Sequence, residues 1–233
     1  MTPETRRKVQ LALAAALAIA ALRTGYIFYE RYESNREPAR QEAPPLKADY
    51  YVTPKKLYPY DLKSAGQLTR QPVWVREGYR YTFYPYHHRT DFSHEAGLLG
   101  PIQRLQIKDV VTDITPGAAD QKQVMAVFDA DGKTYAFSIG LLKDGQYQIY
   151  SDEMLYIQDP RELYKHWPAD VWQAISNHEV KPGMSELQAL FAVGAGAAGP
   201  GDMGSRTISY PNGGKPLSVT YRNDQAVEVK PGA

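Results

Sequence analysis

The sequence has no cysteine, almost no net charge and few phenylalanines. Without cysteine, the chain cannot carry a thiol nucleophile, a cysteine-ligated zinc, an iron–sulfur cluster or a lipid-modified N-terminal cysteine. The 27 basic and 26 acidic side chains nearly cancel, which argues against nucleic acid as a partner. Only 6 phenylalanines accompany 18 tyrosines, so aromatic surfaces will carry hydroxyl groups. The 233 residues are 43% apolar, which is enough to bury a core in one or two domains.

The N-terminal segment, residues 1–32, has the pattern of an export signal. A basic cluster at residues 6–8 precedes an apolar stretch, and a helix over residues 9–29 would be about 31 Å long, enough to cross a hydrocarbon core. This favours a signal anchor, a single-pass transmembrane helix that leaves the bulk of the chain periplasmic or otherwise extracytoplasmic. The alternative is a cleaved signal peptide, with a small-x-small site at residues 18–20 and a secreted product.

Residues 33–64 are predicted to be a proline-rich linker. Five prolines alternate with charged residues, a composition that favours extended geometry and cannot form a core of its own. The linker also contains Tyr50, Tyr51, Tyr58 and Tyr60, whose rings suit contact with a neighbouring domain. The sequence leaves open whether this segment is a free stalk or is docked on the domain that follows.

Residues 65–158 have the pattern of a small β domain. Asp-Gly pairs at 131–132 and 144–145 mark two turns, and the first of them closes the clearest hairpin of the chain. Closing the strands into a barrel would remove exposed sheet edges, so a barrel-like module is expected. The beginning of this module, residues 71–75, resembles the first strand of bacterial SH3-like domains. The predicted strands, rich in β-branched and aromatic residues, are 73–75, 79–84, 105–111, 124–128, 134–139 and 147–150.

Residues 159–233 are predicted to combine helices with a three-stranded meander. Asp159, followed by proline, has the chemistry of a helix N-cap. Ser185 and Gln188 stand at capping-box spacing before a second helical pattern, which ends at Gly194. Strands are then expected at 206–210, 216–222 and 225–230, joined by tight turns.

The chain from Val180 onward resembles the SmpA/OmlA (BamE-like) family. The resemblance is carried by the corner Pro182-Gly183-Met184-Ser185 and by hydrophobic-x-Tyr strands that end at Tyr210 and Tyr221. It implies two helices packed on a three-stranded sheet and a non-catalytic scaffolding role in the cell envelope, including outer-membrane assembly. Two features depart from the family pattern: the lipidated cysteine is missing, and residues 194–204 replace a short glycine-x-proline.

These patterns together predict an α+β protein. It would have an N-terminal membrane helix, a small mostly-β barrel-like (SH3-like) module and a C-terminal ααβββ two-layer domain. Candidate partner contacts come from two places. One is the tyrosine run on a predicted strand, where alternate side chains point to opposite faces of the sheet and one face is exposed to solvent. The other is the family motif. This set is Tyr79, Tyr81, Tyr84, Gly183, Met184, Tyr210 and Tyr221.

One cluster of side chains has the composition of a metal site. It consists of His87, His88, Asp91, His94 and Glu95. Its spacing fits no established ligand pattern, and the neighbouring proline and polar residues favour a solvated loop between strands.

Two shorter motifs also have a structural interpretation. Residues 194–199 match a dinucleotide-binding fingerprint, but a helix precedes them and Pro200 follows, which reverses the order that the motif needs. A flexible glycine-rich loop is expected there instead. Asp129 and Asp131 fit a hairpin turn better than a calcium loop. No metal, no cofactor and no catalytic residue is therefore predicted.

The function expected from these patterns is non-enzymatic interaction or scaffolding in the cell envelope. The expected partners are envelope proteins, and the N-terminal helix would hold the chain at the membrane. The alternative is a cell-wall or glycan-binding module in which the tyrosine-rich β domain recognises peptidoglycan.

Overall fold

The computed structural model describes residues 21–31, 47–114, 117–118 and 120–232 of the chain. It divides into two compact units, residues 1–44 and residues 45–233. In the first unit, residues 21–31 are helical and form α1, while the rest of the predicted signal anchor lies outside the described residues. Within the part of the chain that is described, no helix combines the length and apolar character needed to cross a membrane.

The second unit is a mixed α+β structure in which strands predominate. The helices are α2 (Leu62–Ala65), α3 (Ser151–Met154), α4 (Pro160–Leu163), α5 (Ala169–Ser176) and α6 (Glu186–Val193). The strands are β1 (Val73–Val75), β2 (Thr82–Pro85), β3 (Gly97–Leu98), β4 (Arg104–Leu105), β5 (Ile107–Ile114), β6 (Gln121–Ala130), β7 (Lys133–Lys143), β8 (Gln146–Ile149), β9 (Leu155–Tyr156), β10 (Ala197–Asp202), β11 (Ser205–Tyr210), β12 (Leu217–Arg222) and β13 (Gln225–Pro231). These strands form three sheets, with the orders β4-β1-β9, β3-β2-β7-β6-β5 with β8 beside β7, and β10-β11-β12-β13.

The predicted hairpin at the centre of the β-rich region is confirmed. Strands β6 and β7 pair from Gln121↔Lys143 to Ala130↔Lys133. Both turn residues have positive φ, 50° at Asp131 and 74° at Gly132, as a two-residue type I′ turn requires. In the described residues the end strands of the six-stranded sheet, β3 and β5, do not pair with each other, so the sheet is open there rather than the expected closed barrel.

The predicted strand 79–84 is wrong at its start. Tyr79 has a φ of 62° and lies in a turn. Its backbone N–H donates to the carbonyl oxygen of Leu99 at 2.7 Å. Strand β2 begins only at Thr82. The turn places the ring of Tyr79 beside Gly213 and His178.

The small sheet β4-β1-β9 separates two hydrophobic cores. Across β1, Val73 and Val75 are fully buried in a core with β5, β6 and β7, whereas Trp74 is buried in a second core formed by α5, α6 and β11–β13. Strand β9 repeats the pattern, because Leu155 belongs to the first core and Tyr156 to the second. Alternation along a strand therefore joins the two regions through opposite faces of one sheet. We call them the β region and the α/β region.

The α/β region packs helices α5 and α6 on a four-stranded antiparallel sheet. The three predicted strands and both predicted helix caps are confirmed: the Asp159 carboxylate accepts from Arg161 N, and Ser185 and Gln188 form a complete capping box. The glycine-rich segment is a correction, because residues 197–202 form the edge strand β10 instead of a flexible loop.

Glycine explains how this edge strand can pair so closely. A Cβ on Gly196 would lie 2.5 Å from Ile208 Cγ2 and 2.8 Å from the Ser209 carbonyl oxygen, closer than real Cβ atoms approach. Only glycine allows the backbone to reach β11 at this position.

Candidate functional site

A cleft of about 320 Å³ lies between helix α6, strands β10 and β11, and the turn that precedes β2. Strand β10 contributes only the small side chain of Ala198 to the lining, which leaves this space open. Glu77 and Arg80 contribute one wall from the β region. The apolar lining comes from Leu187, Leu190, Ala198, Met203 and Ile208.

The charged groups of the cleft are paired with each other. The buried Glu186 carboxylate, 6% exposed, accepts hydrogen bonds from Arg206 Nη2 at 2.7 Å and from the Gly204 N–H at 2.6 Å. The hydrogen bond to the Glu186 carboxylate raises the pKa of the Arg206 guanidinium, which therefore stays charged. On the opposite wall, Arg80 Nη1 donates to Glu77 Oε2 at 2.5 Å. The cleft therefore presents two neutralised ion pairs around an apolar floor.

A hydrogen-bonded network closes the N-terminal end of helix α6. The Tyr50 hydroxyl donates to Asp224 Oδ1 at 2.6 Å and accepts from the Leu187 N–H at 3.2 Å. Asp224 Oδ1 also accepts from the Glu186 N–H at 3.2 Å, and Lys47 Nζ lies 3.4 Å from Oδ2. The first N–H groups of a helix have no hydrogen-bond acceptor within the helix. This network provides acceptors for two of them, the N–H groups of Glu186 and Leu187. Burial and the bond to Asp224 raise the pKa of Tyr50 well above its usual value.

The segment that contains Lys47 and Tyr50 also forms hydrogen bonds with the loop before helix α5. Asp49 accepts from Trp167 Nε1 at 2.7 Å and pairs with His166 Nε2 at 2.9 Å, and the Tyr164 hydroxyl donates to the Val52 carbonyl at 2.7 Å. The part of the predicted linker from Lys47 onward is therefore docked, which resolves the alternative that the sequence left open. We call residues 47–52 the strap.

Four of the predicted contact residues build the α/β region. Met184, Tyr210 and Tyr221 are 1–3% exposed, and the hydroxyls of the two tyrosines hydrogen-bond at 2.9 Å. Gly183 has a φ of 88° and donates through its N–H to the Ala226 carbonyl, while the Ala226 N–H donates to Met184 O at 2.8 Å. The Gly-Met corner thus covers the start of edge strand β13. Of this set, Tyr210 alone also lines the cleft.

The three tyrosines of the β region are brought to different places. Tyr79 is half-buried against the α/β region, beside Gly213 and the ring of His178. Tyr81 packs against the first core, and burial raises its pKa to about 12. The ring of Tyr84 lies 5.3 Å from that of Phe92. The structure does not assemble them into one surface.

The histidine-rich cluster belongs to a loop that covers the outer face of the six-stranded sheet. Tyr86 and Phe92 of this loop pack on Met125, Val127 and Ala136. Of the five candidate ligands, His94 and Asp91 are in contact, at 2.8 Å. In the described ranges, no group of three or more acidic or histidine side chains is placed to hold a metal. Asp129, from the calcium-like motif, accepts from Thr134 Oγ1 at 2.9 Å and pairs with Lys108 across the sheet.

Sequence reasoning missed the residues that shape the cleft. Glu186 and Arg206 line it, and their local sequence predicts only the start of a helix and the start of a strand. The one local signal is an acidic residue at the first position of a helix, next to a capping box, which is common and not diagnostic. Comparison with protein-family models, with curated proteins and with solved structures found no match.

Proposed function

We propose that the protein is a non-enzymatic interaction or scaffold protein of the cell envelope, held at the membrane by its N-terminal segment. We further propose that residues 159–233 form a domain of the SmpA/OmlA type, and that the cleft beside α6 is the contact for a partner protein. The order of helices followed by an antiparallel sheet supports the second proposal.

The observation that carries the proposal is the composition of the cleft. Its two ion pairs, Glu186–Arg206 and Glu77–Arg80, are closed on themselves. General acid–base catalysis needs a group that can exchange a proton near the working pH, and an arginine and its paired carboxylate are poorly suited to that. The apolar lining suits recognition of an aliphatic or aromatic side chain.

The shape of the cleft favours one anchoring side chain of a partner over a large flat interface. Its volume is at the lower end of the range for ligand sites. Met203, 44% exposed, stands at the opening, where a flexible thioether adapts to the shape of an inserted side chain. Interface energy concentrates in such anchors, so filling the cleft is expected to abolish binding.

The test is crosslinking in intact cells with the full chain tagged at its C-terminus, followed by solubilisation and identification of the captured proteins. The variant Ala198→Arg fills the cleft, because Ala198 pairs with Ile208 and shares its face of the sheet. The matched control is Ala197→Arg, on the same strand and equally exposed, whose side chain lies on the opposite face.

We expect Ala198→Arg to lose envelope proteins that the wild type and Ala197→Arg both capture. Capture by all three chains would exclude the cleft as the contact. Recovery of cell-wall fragments in place of proteins would favour the glycan-binding alternative. Thermal melting of both variants shows whether a loss reflects unfolding.

A further inference from the structure

The segment that follows Tyr50 carries three highly exposed tyrosines, none of which lines the cleft. Tyr51, Tyr58 and Tyr60 are 73%, 70% and 78% exposed. Among the other large apolar side chains described in the second unit, the greatest exposure is 58%, at Ile114. Isolated exposed apolar residues are ordinary, but three such rings within ten residues of the chain are a concentration that calls for an explanation.

The chain that carries these rings is held firmly to the folded unit. Leu57 and Leu62 pack against the first core, and the backbone of Lys55 bonds to Ile157 N at 2.8 Å and to Gln158 Oε1 at 3.2 Å. Pro59, between two of the tyrosines, is buried. The exposure therefore belongs to an anchored segment.

Alternating burial places two of the rings side by side. Tyr58 and Tyr60 are exposed on either side of buried Pro59, so both leave the surface on the same side, about 7 Å apart along extended chain. Two adjacent tyrosines present apolar ring faces and two hydroxyls, a combination suited to a boundary between water and an apolar phase.

The charge around the rings is positive. Lys55, Lys56 and Lys63 flank them, and none of these forms a salt bridge with a carboxylate of the described residues. Asp61 is the single acid of residues 55–63, and its carboxylate is engaged by the Ser64 N–H at 2.7 Å as a helix cap. Hydrogen bonding with the Ser64 side chain, and then with its backbone N–H, lowers the pKa of Asp61. Three lysines against one acid leave the segment with a charge of +2.

We propose that this surface, defined by Tyr58, Tyr60 and the lysines at 55, 56 and 63, rests on an anionic lipid bilayer. Tyrosine rings settle at the level of the headgroups, and lysines extend their ammonium groups to lipid phosphates. Each basic residue near an anionic membrane adds attraction that falls off within a Debye length, so the contact is electrostatic as well as amphipathic. The surface would orient the folded unit on the membrane, whether or not the cleft binds a partner.

The absence of cysteine allows a site-specific test in the full chain. Tyr60→Cys carries a polarity-sensitive fluorophore, and Val227→Cys, 49% exposed on strand β13, carries the same probe as the matched control. Each labelled chain is reconstituted in vesicles of phosphatidylcholine alone and of phosphatidylcholine with one quarter phosphatidylglycerol. Because both labelled chains are attached through the same other segments and are measured in vesicles of the same composition, the difference between the two probes reports local contact.

We expect a blue shift at position 60 that is larger in the anionic vesicles, with no shift at position 227. Reversing charge with Lys55→Glu and Lys63→Glu should abolish the shift, whereas Lys133→Glu at the β6–β7 turn should leave it unchanged. Equal shifts at both probes, or none in either vesicle, would overturn the proposal. A shift caused by insoluble cell wall but not by vesicles would equally overturn it.

Discussion

The two cores of the second unit are built from different chemistry. The 15 buried residues of the core in the β region are aliphatic, phenylalanine or methionine, and none carries a hydroxyl or ring N–H. Of the 17 buried residues in the α/β region, six are tyrosine or tryptophan. The first core is stabilised by nonpolar burial alone, which is nondirectional, while the second also depends on hydrogen bonds that must be made with the right geometry.

This contrast predicts where each region is vulnerable. The β region is expected to tolerate loss of one polar contact better, because its longest strand pairings, β5 with β6 and β6 with β7, are local hairpins. The α/β region depends on contacts between residues far apart in the chain, such as Tyr50 with Asp224 and Glu186 with Arg206. Removing one partner there leaves the other buried with fewer hydrogen bonds than it needs.

The largest effect is expected from Trp74→Ala, which leaves a cavity in the second core next to the sheet that the two cores share. A buried tryptophan replaced by alanine costs about 3–5 kcal/mol of the free energy of unfolding. Val75→Ala, on the opposite face of β1, should cost less, because it removes less volume from the first core. Urea unfolding, followed by far-UV and near-UV circular dichroism, measures both. If β1 couples the two regions, each variant will unfold in one transition; two separate transitions would show that the cores are independent.

Glu186→Gln breaks the ion pair and should cost about 2 kcal/mol, less than a fully buried pair, because Arg206 keeps its charge in a partly buried position. Arg206→Met alone should cost a similar amount, and the double variant Glu186→Leu with Arg206→Met should recover much of the loss. A double-mutant cycle from denaturant unfolding measures the coupling. Additive effects of the two single changes would mean that the pair contributes little.

Gly196→Ala tests whether the edge strand needs a close backbone approach. The added methyl would meet Ile208 and Tyr210 within 2.7 Å, so β10 must shift, at a cost of about 1–3 kcal/mol. The control is Gly199→Ala, where the nearest atom is the Thr207 carbonyl at 3.1 Å and less movement is required. Thermal melting of both variants distinguishes them. Equal melting temperatures would mean that β10 adapts without strain.

Tyr50→Phe is expected to have the smallest effect, about 1 kcal/mol, through loss of the hydrogen bonds to Asp224 and from Leu187. Because the folded-state pKa of Tyr50 is raised, its contribution is fully present below the unfolded-state pKa of about 10 and is lost as the pH rises above it. The difference between wild type and variant should therefore shrink from pH 8 to pH 11. Urea unfolding at both pH values checks this, and a difference independent of pH would contradict it.

Local features of the fold were predictable because they depend on neighbouring residues. Asp131 and Gly132 close the hairpin through their own backbone preferences, and Ser185 with Gln188 caps a helix within one turn. The glycine-rich segment was mispredicted because Ala197 to Asp202 have weak strand propensity. They become a strand only because β11 offers an edge that glycine can approach.

By itself, the sequence determined the alternation on β1, the turns, the caps and the scarcity of net charge, all of which depend on residue type and near spacing. Only the tertiary structure decided that Val75 and Trp74 serve different cores, that the strap docks on the α/β region, and that Glu186 meets Arg206 twenty residues away. The reason is that buried charges and hydrogen bonds gain or lose stability through partners that folding brings together, and no local pattern records those partners.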